Sequence, residues 1–231
     1  MKDRFENISE DYGDLFVEVY KEKGSDYLKI EKSIFDNVKR AYSNFKEVPI
    51  LDIGTGDGLT IEPFVKAGCK DLTGIDLNSV MIETCKKKFG DKIKIIQGDA
   101  TDMKMFKPLQ FPIITCGMCI HNILKQERMK FWKEILRLNP NILCLVEKIA
   151  GDDLDNYKKD YEGELAAIEK IFGKYGLFKE NEEWKKHFIY DEQPDVKMYV
   201  SEIVENLSIK YDVKVVNEDG MYKTILCIRK N

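Results

Sequence analysis

The sequence has no apolar run approaching the roughly 20 residues needed to span a bilayer. Its opening residues, Met1-Lys2-Asp3-Arg4-Phe5-Glu6, are charged where a signal peptide would carry an apolar stretch. Both absences predict a cytoplasmic protein. A charge excess is also lacking: 37 Lys and Arg stand against 41 Asp and Glu, interleaved, for a net charge of −4. Runs such as Lys86-Lys87-Lys88 and Lys185-Lys186 read as solvated helix faces, whereas a nucleic-acid binder more often gathers its bases on one face. The balance leans towards a small-molecule or protein substrate and leaves RNA open. Histidine is scarce, with His121 and His187 alone. Cys116-Gly117-Met118-Cys119 is formally a C-x-x-C, but a zinc site needs a second ligand pair and none stands at suitable spacing. A thioredoxin-type pair would lie early in the chain, at the start of a helix. The other cysteines fall mostly in apolar segments, as small hydrophobes. No metal is expected, and there is no internal repeat or low-complexity tract.

What is present is one domain's worth of ordinary composition. The 231 residues, 43% hydrophobic and 34% charged, suffice for a single substantial core with room for an insertion. Short apolar runs read as buried strands at 48–53, 72–75, 93–96, 111–115 and 142–146. Helical spacing fills 59–66, 79–89 and 126–138 between them. This alternation predicts a doubly wound α/β sheet, mostly parallel and covered on both faces, with ligands bound beyond the carboxyl ends of its strands. A helix is expected from about Tyr27 to Phe45. Residues 151–206 carry helical patterning and no clear strand. Two last runs, 210–216 and 222–228, joined through Asn217-Glu218-Asp219-Gly220, predict an antiparallel hairpin. The expected division of the single domain, 1–231, is an N-terminal helical segment (1–46), a cofactor-binding core (47–149), a helical cap (150–207) and a closing hairpin (208–231).

The sharpest motif is Ile50-Leu51-Asp52-Ile53-Gly54-Thr55-Gly56-Asp57-Gly58-Leu59, joining the first strand to the first helix. Its glycines permit a tight turn and close approach of a ligand, and a helix opening there would favour a carboxylate or phosphate. A dinucleotide loop wants G-x-G-x-x-G, but Leu59 stands at the third position. Asp76 closes the second strand, where an acid can accept from ribose hydroxyls. Asp99, after the third strand, can accept from an adenine amine, with the Ala100 N–H donating to the ring. A dehydrogenase has no comparable need for that second acid.

These segments, in register with Phe111 to Ile123 at the fourth strand, resemble the motifs of class I S-adenosylmethionine-dependent methyltransferases. The resemblance covers roughly residues 12–149. Two departures are Pro112, where the family commonly has an acid, and Pro140-Asn141, where it usually has Pro-Gly-Gly. The resemblance implies a Rossmann-like seven-stranded sheet with the last strand antiparallel, and S-adenosyl-L-methionine as cofactor with S-adenosyl-L-homocysteine as product. It implies Gly54, Gly56 and Gly58 along the methionine moiety and Asp52 near its ammonium. Asp76 and Leu77 would hold ribose and adenine, Asp99 and Ala100 the adenine. The backbone of Cys116 or Gly117 would meet the amino-acid end, and Tyr12 would stand beside the sulfonium. A looser likeness to the carboxy-S-adenosylmethionine synthases rests on the N-terminal stretch and Val146-Glu147-Lys148, but no arginine suits the extra carboxylate.

For the chemistry, His121 is a candidate base or acceptor-orienting residue, with a hydrogen-bonded structural histidine as the alternative. Trp184, His187 and Tyr190 share one helical face, which either contacts substrate or packs the cap onto the sheet. The leading expectation is a methyltransferase acting on a small molecule. An RNA or protein methyltransferase and a non-catalytic S-adenosylmethionine-binding protein are the alternatives. The acceptor and the oligomeric state are left open.

Overall fold

Five of the apolar runs become adjacent parallel strands, the inner four buried along nearly their whole length and the edge run at 93–96 partly exposed. The computed structural model describes residues 12–24, 27–150, 154–193 and 196–231. In chain order the elements are α1 (Tyr12–Lys23), α2 (Tyr27–Ala41), β1 (Ile50–Ile53), α3 (Glu62–Lys66), β2 (Leu72–Asp76), α4 (Ser79–Phe89), β3 (Lys94–Gln97), β4 (Ile113–Gly117), α5 (Lys125–Leu138) and β5 (Ile142–Lys148). Beyond these come α6 (Leu154–Lys174), α7 (Phe178–Asp191), α8 (Val200–Leu207), β6 (Tyr211–Asp219) and β7 (Tyr222–Arg229). The seven strands form one sheet in the order β3-β2-β1-β4-β5-β7-β6. Pairing is parallel from β3 through β5, and β7 alone runs against both its neighbours. This is the expected doubly wound sheet with its last strand antiparallel. Among the described residues no helix is long and apolar enough to cross a membrane.

Each face of the sheet buries its own apolar cluster. One face packs Ile34 and Val38 of α2, Phe64 of α3, Phe89 of α4 and Phe172 of α6 against Ile50, Cys144 and Val146. The other packs Trp132 and Ile135 of α5 and Ile203 of α8 against Leu51, Ile114 and Leu143. The outer strands expose charged side chains, Lys94 on β3 and Lys214 and Glu218 beside Val215 on β6, and such charges discourage pairing with another chain.

Several boundaries differ from the sequence expectation. The first helix after β1 begins at Glu62, not Leu59, because residues 57–61 turn instead of coiling. The segment before α2 contains a helix, α1, that the sequence pattern does not mark. The hairpin turn is tighter than expected: Asn217, Glu218 and Asp219 continue β6 past an irregularity between Val215 and Asn217, and Gly220 (φ +57°) with Met221 makes the reversal. The two departures at Pro112 and Asn141 meet each other. The Pro112 carbonyl, one residue ahead of β4, accepts from Asn141 N at 2.8 Å and Ile142 N at 3.0 Å.

Candidate functional site

The glycine loop lies where strand order reverses, since β1 has β2 on one side and β4 on the other. Its three glycines answer three different demands. A Cβ on Gly54 (φ +68°) would collide with the Cys119 side chain, 2.5 Å from its Cβ, so this glycine lets two strand ends approach. A Cβ on Gly58 (φ +88°) would strike the Phe89 ring of α4 and lie 3.1 Å from Cys85 Sγ. Gly56 (φ +52°) alone faces open space, its nearest neighbour being the Gly54 carbonyl at 4.0 Å. The open part of the cradle is therefore at Gly56.

Asp52 is wholly buried, and its carboxylate is taken up by the protein itself. Thr55 Oγ1 donates to Oδ2 at 2.8 Å and Thr115 Oγ1 donates to Oδ1 at 2.6 Å. Burial pushes its pKa up to about 7 against the two hydroxyl bonds, with the Glu31 and Asp76 carboxylates adding to the rise. The residue expected beside a ligand's ammonium thus ties the loop to β4 from within.

Asp76, at the end of β2, is half-buried and held by backbone amides: Gly56 N donates to Oδ2 and Asn78 N to Oδ1, each at 2.8 Å. It thereby braces the open part of the glycine loop. Leu77 comes next, half-buried, its carbonyl receiving Gln97 Nε2 at 3.1 Å. Asn78 caps α4 by accepting from Val80 and Met81. Asp99 Oδ1 accepts from Thr101 N and Thr101 Oγ1, both at 2.7 Å. Burial works to raise the Asp99 pKa, the Thr101 bonds work to lower it, and the group lies below its ordinary value. Ala100 is half-buried next to it.

At the end of β4, Cys116 is buried and Gly117 is half-buried. The chain then reverses through Met118 (φ +50°), whose N–H reaches the Val146 carbonyl at 2.8 Å. Glu147 of β5, completely buried, organises the turn beyond Met118. It accepts from Cys119 N at 2.8 Å and Ile120 N at 2.5 Å, and its Oε2 lies 2.7 Å from His121 Nδ1. His121 keeps 12% of its side chain exposed. The His187 ring of α7 stands 6.4 Å from the His121 ring, centroid to centroid, and meets Trp184 edge-on at 5.2 Å. Trp184 is buried and Tyr190 half-buried. Tyr12 opens α1, but its side chain lies outside the described residues. Helices α6 and α7 are anchored beside this point by Lys148. Its buried ammonium lies 3.2 Å from Glu192 Oε1 and over the Phe188 ring at 4.3 Å.

The structure therefore brings Gly56, Asp76, Gly117, His121 and His187 to the carboxyl edge of the sheet. Two acids join them from outside the class I methyltransferase motifs, Glu147 belonging only to the segment that resembles the carboxy-S-adenosylmethionine synthases. Glu147 interrupts the apolar run of β5 one residue before the strand ends at Lys148, and Glu31 is buried beside the apolar stripe of Ile30, Ile34 and Val38 on α2. A charge within an apolar run is the available signal for Glu147, whereas Glu31, set between Ile30 and Lys32 on a charge-rich helix, carries none.

The residues present fit one class of cofactor better than the other. The strand-end segments 54–60, 76–79, 97–102 and 116–123 contain no lysine or arginine, while Asp52, Asp57, Asp76, Asp99 and Glu147 gather around them. A pyrophosphate would find acids and, at α3, only a five-residue helix beginning four residues beyond Gly58. A ligand carrying a sulfonium and an ammonium finds complementary charge, with a cradle open at Gly56.

Residues 50–140 match a family described as a methyltransferase domain. No curated protein matches the sequence. Among solved structures, the chain is similar to the plantazolicin methyltransferase BpumL in complex with SAH (TM-score 0.64, 16% identity, 98% of this chain and 93% of that one). It is similar to the magnesium protoporphyrin IX methyltransferase of Synechocystis PCC 6803 with bound SAH (TM-score 0.62, 14% identity, 98% and 96%). It is also similar to the PH0226 protein of Pyrococcus horikoshii OT3 (TM-score 0.62, 13% identity, 95% and 99%). At these identities the likeness is one of fold, and the sequence match is to the domain that spans β1 through α5. Residues 50–140 thus form a methyltransferase domain, set in a chain with the fold of the S-adenosylmethionine-dependent methyltransferases, and S-adenosylmethionine is the cofactor.

Proposed function

We propose that the protein methylates a small molecule bound between the strand ends and helices α6 and α7, with His121 as the base that receives the acceptor's proton. The observation that carries this reading is the 2.7 Å contact between His121 Nδ1 and the buried Glu147. When bound, S-adenosylmethionine supplies an electrophilic methyl group on a positive sulfur, so the protein's task is alignment, exclusion of water and proton removal. With Nδ1–H donated to Glu147, Nε2 carries the lone pair and can take a proton from a hydroxyl or amine acceptor. Glu147 also holds the Cys119 and Ile120 amides, so the imidazole and the turn beside Gly117 share one anchor. Gly56 and Asp76 would hold the cofactor's nearer parts, Leu77, Asp99 and Ala100 its adenine end, and Trp184, His187 and Tyr190 the acceptor's side of the pocket.

A small acceptor is supported by the helices that close over the strand ends and by the lack of a basic stripe in the sequence. It is supported further by the acceptors named for two similar structures, a porphyrin and plantazolicin. The test is transfer of isotopic methyl from labelled S-adenosylmethionine into separated metabolite, RNA and protein fractions of a cell extract. Label confined to the metabolite fraction, lost in His121→Asn, is the expected result. Label in a ribonuclease-sensitive fraction would overturn the small-molecule reading.

A further inference from the structure

Glu31 lies on α2, outside every motif of the cofactor core, yet its carboxylate reaches that core. The side chain is 3% exposed, between the apolar Ile30 and Ile34. Its Oε2 accepts from Thr60 Oγ1 at 2.7 Å. The same oxygen lies 2.6 Å from the point where a Cβ on Gly117 would stand. Thr60 lies two residues beyond the glycine loop and Gly117 is the last residue of β4, so Glu31 stands in the crevice between the ends of β1 and β4. A buried ionised carboxylate is stabilised by cations and hydrogen-bond donors. At this place in the fold, the cofactor's amino-acid end supplies both.

We propose that Glu31 is the carboxylate that receives the α-ammonium group of the bound cofactor, in place of Asp52. The geometry separates the two acids. Asp52 is enclosed, each of its oxygens occupied by a threonine hydroxyl. Glu31 Oε2 instead lies against the Cβ position of Gly117, at the carboxyl end of β4. The Thr60 hydroxyl bond fixes the carboxylate's orientation, which makes the pairing charge-assisted and directional. Glycine at 117 is needed because any side chain there would displace Thr60 and Glu31 together.

The test compares two ligands by calorimetric titration of the full chain. S-adenosylhomocysteine carries the ammonium, and 5′-methylthioadenosine lacks the whole amino-acid end. Glu31→Gln keeps the shape and an acceptor for Thr60; Glu31→Asp keeps the charge but withdraws it by one methylene. Both variants are expected to weaken S-adenosylhomocysteine binding on the order of 10- to 100-fold, with 5′-methylthioadenosine changed less than about twofold. Equal loss for both ligands in a folded variant would show that Glu31 only shapes the loop, and would overturn the proposal. So would unchanged affinity for S-adenosylhomocysteine. Should Glu31→Gln fail to fold, the ligand comparison in Glu31→Asp decides alone. Failure of the unsubstituted chain to bind either ligand would overturn the cofactor assignment and this one together.

Discussion

Glu147 Oε2 lies 2.7 Å from His121 Nδ1, and the same carboxylate anchors the backbone turn that carries the histidine. Strand β5 thus positions a residue that lies beyond β4, across the pairing of Gly117 with Val146. His121→Asn is expected to lower kcat by about 10²- to 10⁴-fold while leaving S-adenosylhomocysteine affinity nearly unchanged. Glu147→Gln, which frees the ring's orientation, is expected to lower kcat less and to shift its pH profile. Steady-state rates from pH 6 to 9 check both. Full activity in His121→Asn would remove it from the proton path.

The glycine loop predicts two distinct failures from similar substitutions. Gly54→Ala forces a Cβ into Cys119 at a positive φ, and is expected to destabilise the fold by about 2–4 kcal/mol. Adding Cys119→Gly should recover part of that loss. Gly56→Ala meets no neighbour, so it should cost only about 1 kcal/mol of stability while reducing cofactor affinity more than tenfold. Urea denaturation and ligand titration on the same samples separate the two effects.

Asp52 makes a prediction about pH. In the unfolded chain its carboxyl loses its proton near the ordinary 3.8, whereas burial holds it to about 7 in the fold. Between these values the native state binds more protons than the unfolded state, so this group's contribution to stability falls as pH rises and levels off above about 7. Three pH units at about 1.4 kcal/mol each set an upper bound of about 4 kcal/mol. Asp52→Asn should flatten the stability curve between pH 4.5 and 7.5 relative to the natural sequence. Parallel curves for the two proteins would show that Asp52 is ionised throughout.

Arg128 of α5, 1% exposed, binds three carbonyls and a carboxylate. It donates to Ile123 O at 3.0 Å, Val196 O at 2.5 Å and His121 O at 3.4 Å, and pairs with Glu202 at 3.3 Å. Arg128→Met is expected to destabilise the protein by about 3–5 kcal/mol, since it strands buried acceptors on both sides. Because His121 O and Ile123 O belong to the turn carrying the histidine, kcat should fall as well. Denaturant unfolding and single-turnover rates measure the two losses.

Much of the core is legible in local pattern alone. The five parallel strands lie within two residues of their apolar runs, and α4 spans the helical interval from Ser79 to Phe89. Helix α5 begins at Lys125, one residue ahead of its helical interval. Short-range hydrophobic pattern carries this information because the inner strands, buried on both faces, must be nearly continuous apolar runs. The hairpin turn and the start of α3 escape such reading, since turn-forming residues such as Asn217 and Asp219 can also continue an edge strand. Helix α1 escapes it too, because a polar-aromatic stretch packs helically only once α6 lies against it, as the Lys23 ion pairs with Asp160 and Glu164 show.

The amino-acid sequence by itself determined the doubly wound core and the acid- and glycine-rich strand ends, because both are matters of spacing along the chain. Which acid faces a ligand was decided by tertiary structure. Thr55 and Thr115 enclose Asp52, β5 delivers Glu147 to His121, and α2 carries Glu31 to Gly117 from outside the motifs. The last two pairings join residues 26 and 86 positions apart, and a carboxylate's role depends on which hydroxyls, amides and walls the fold places around it.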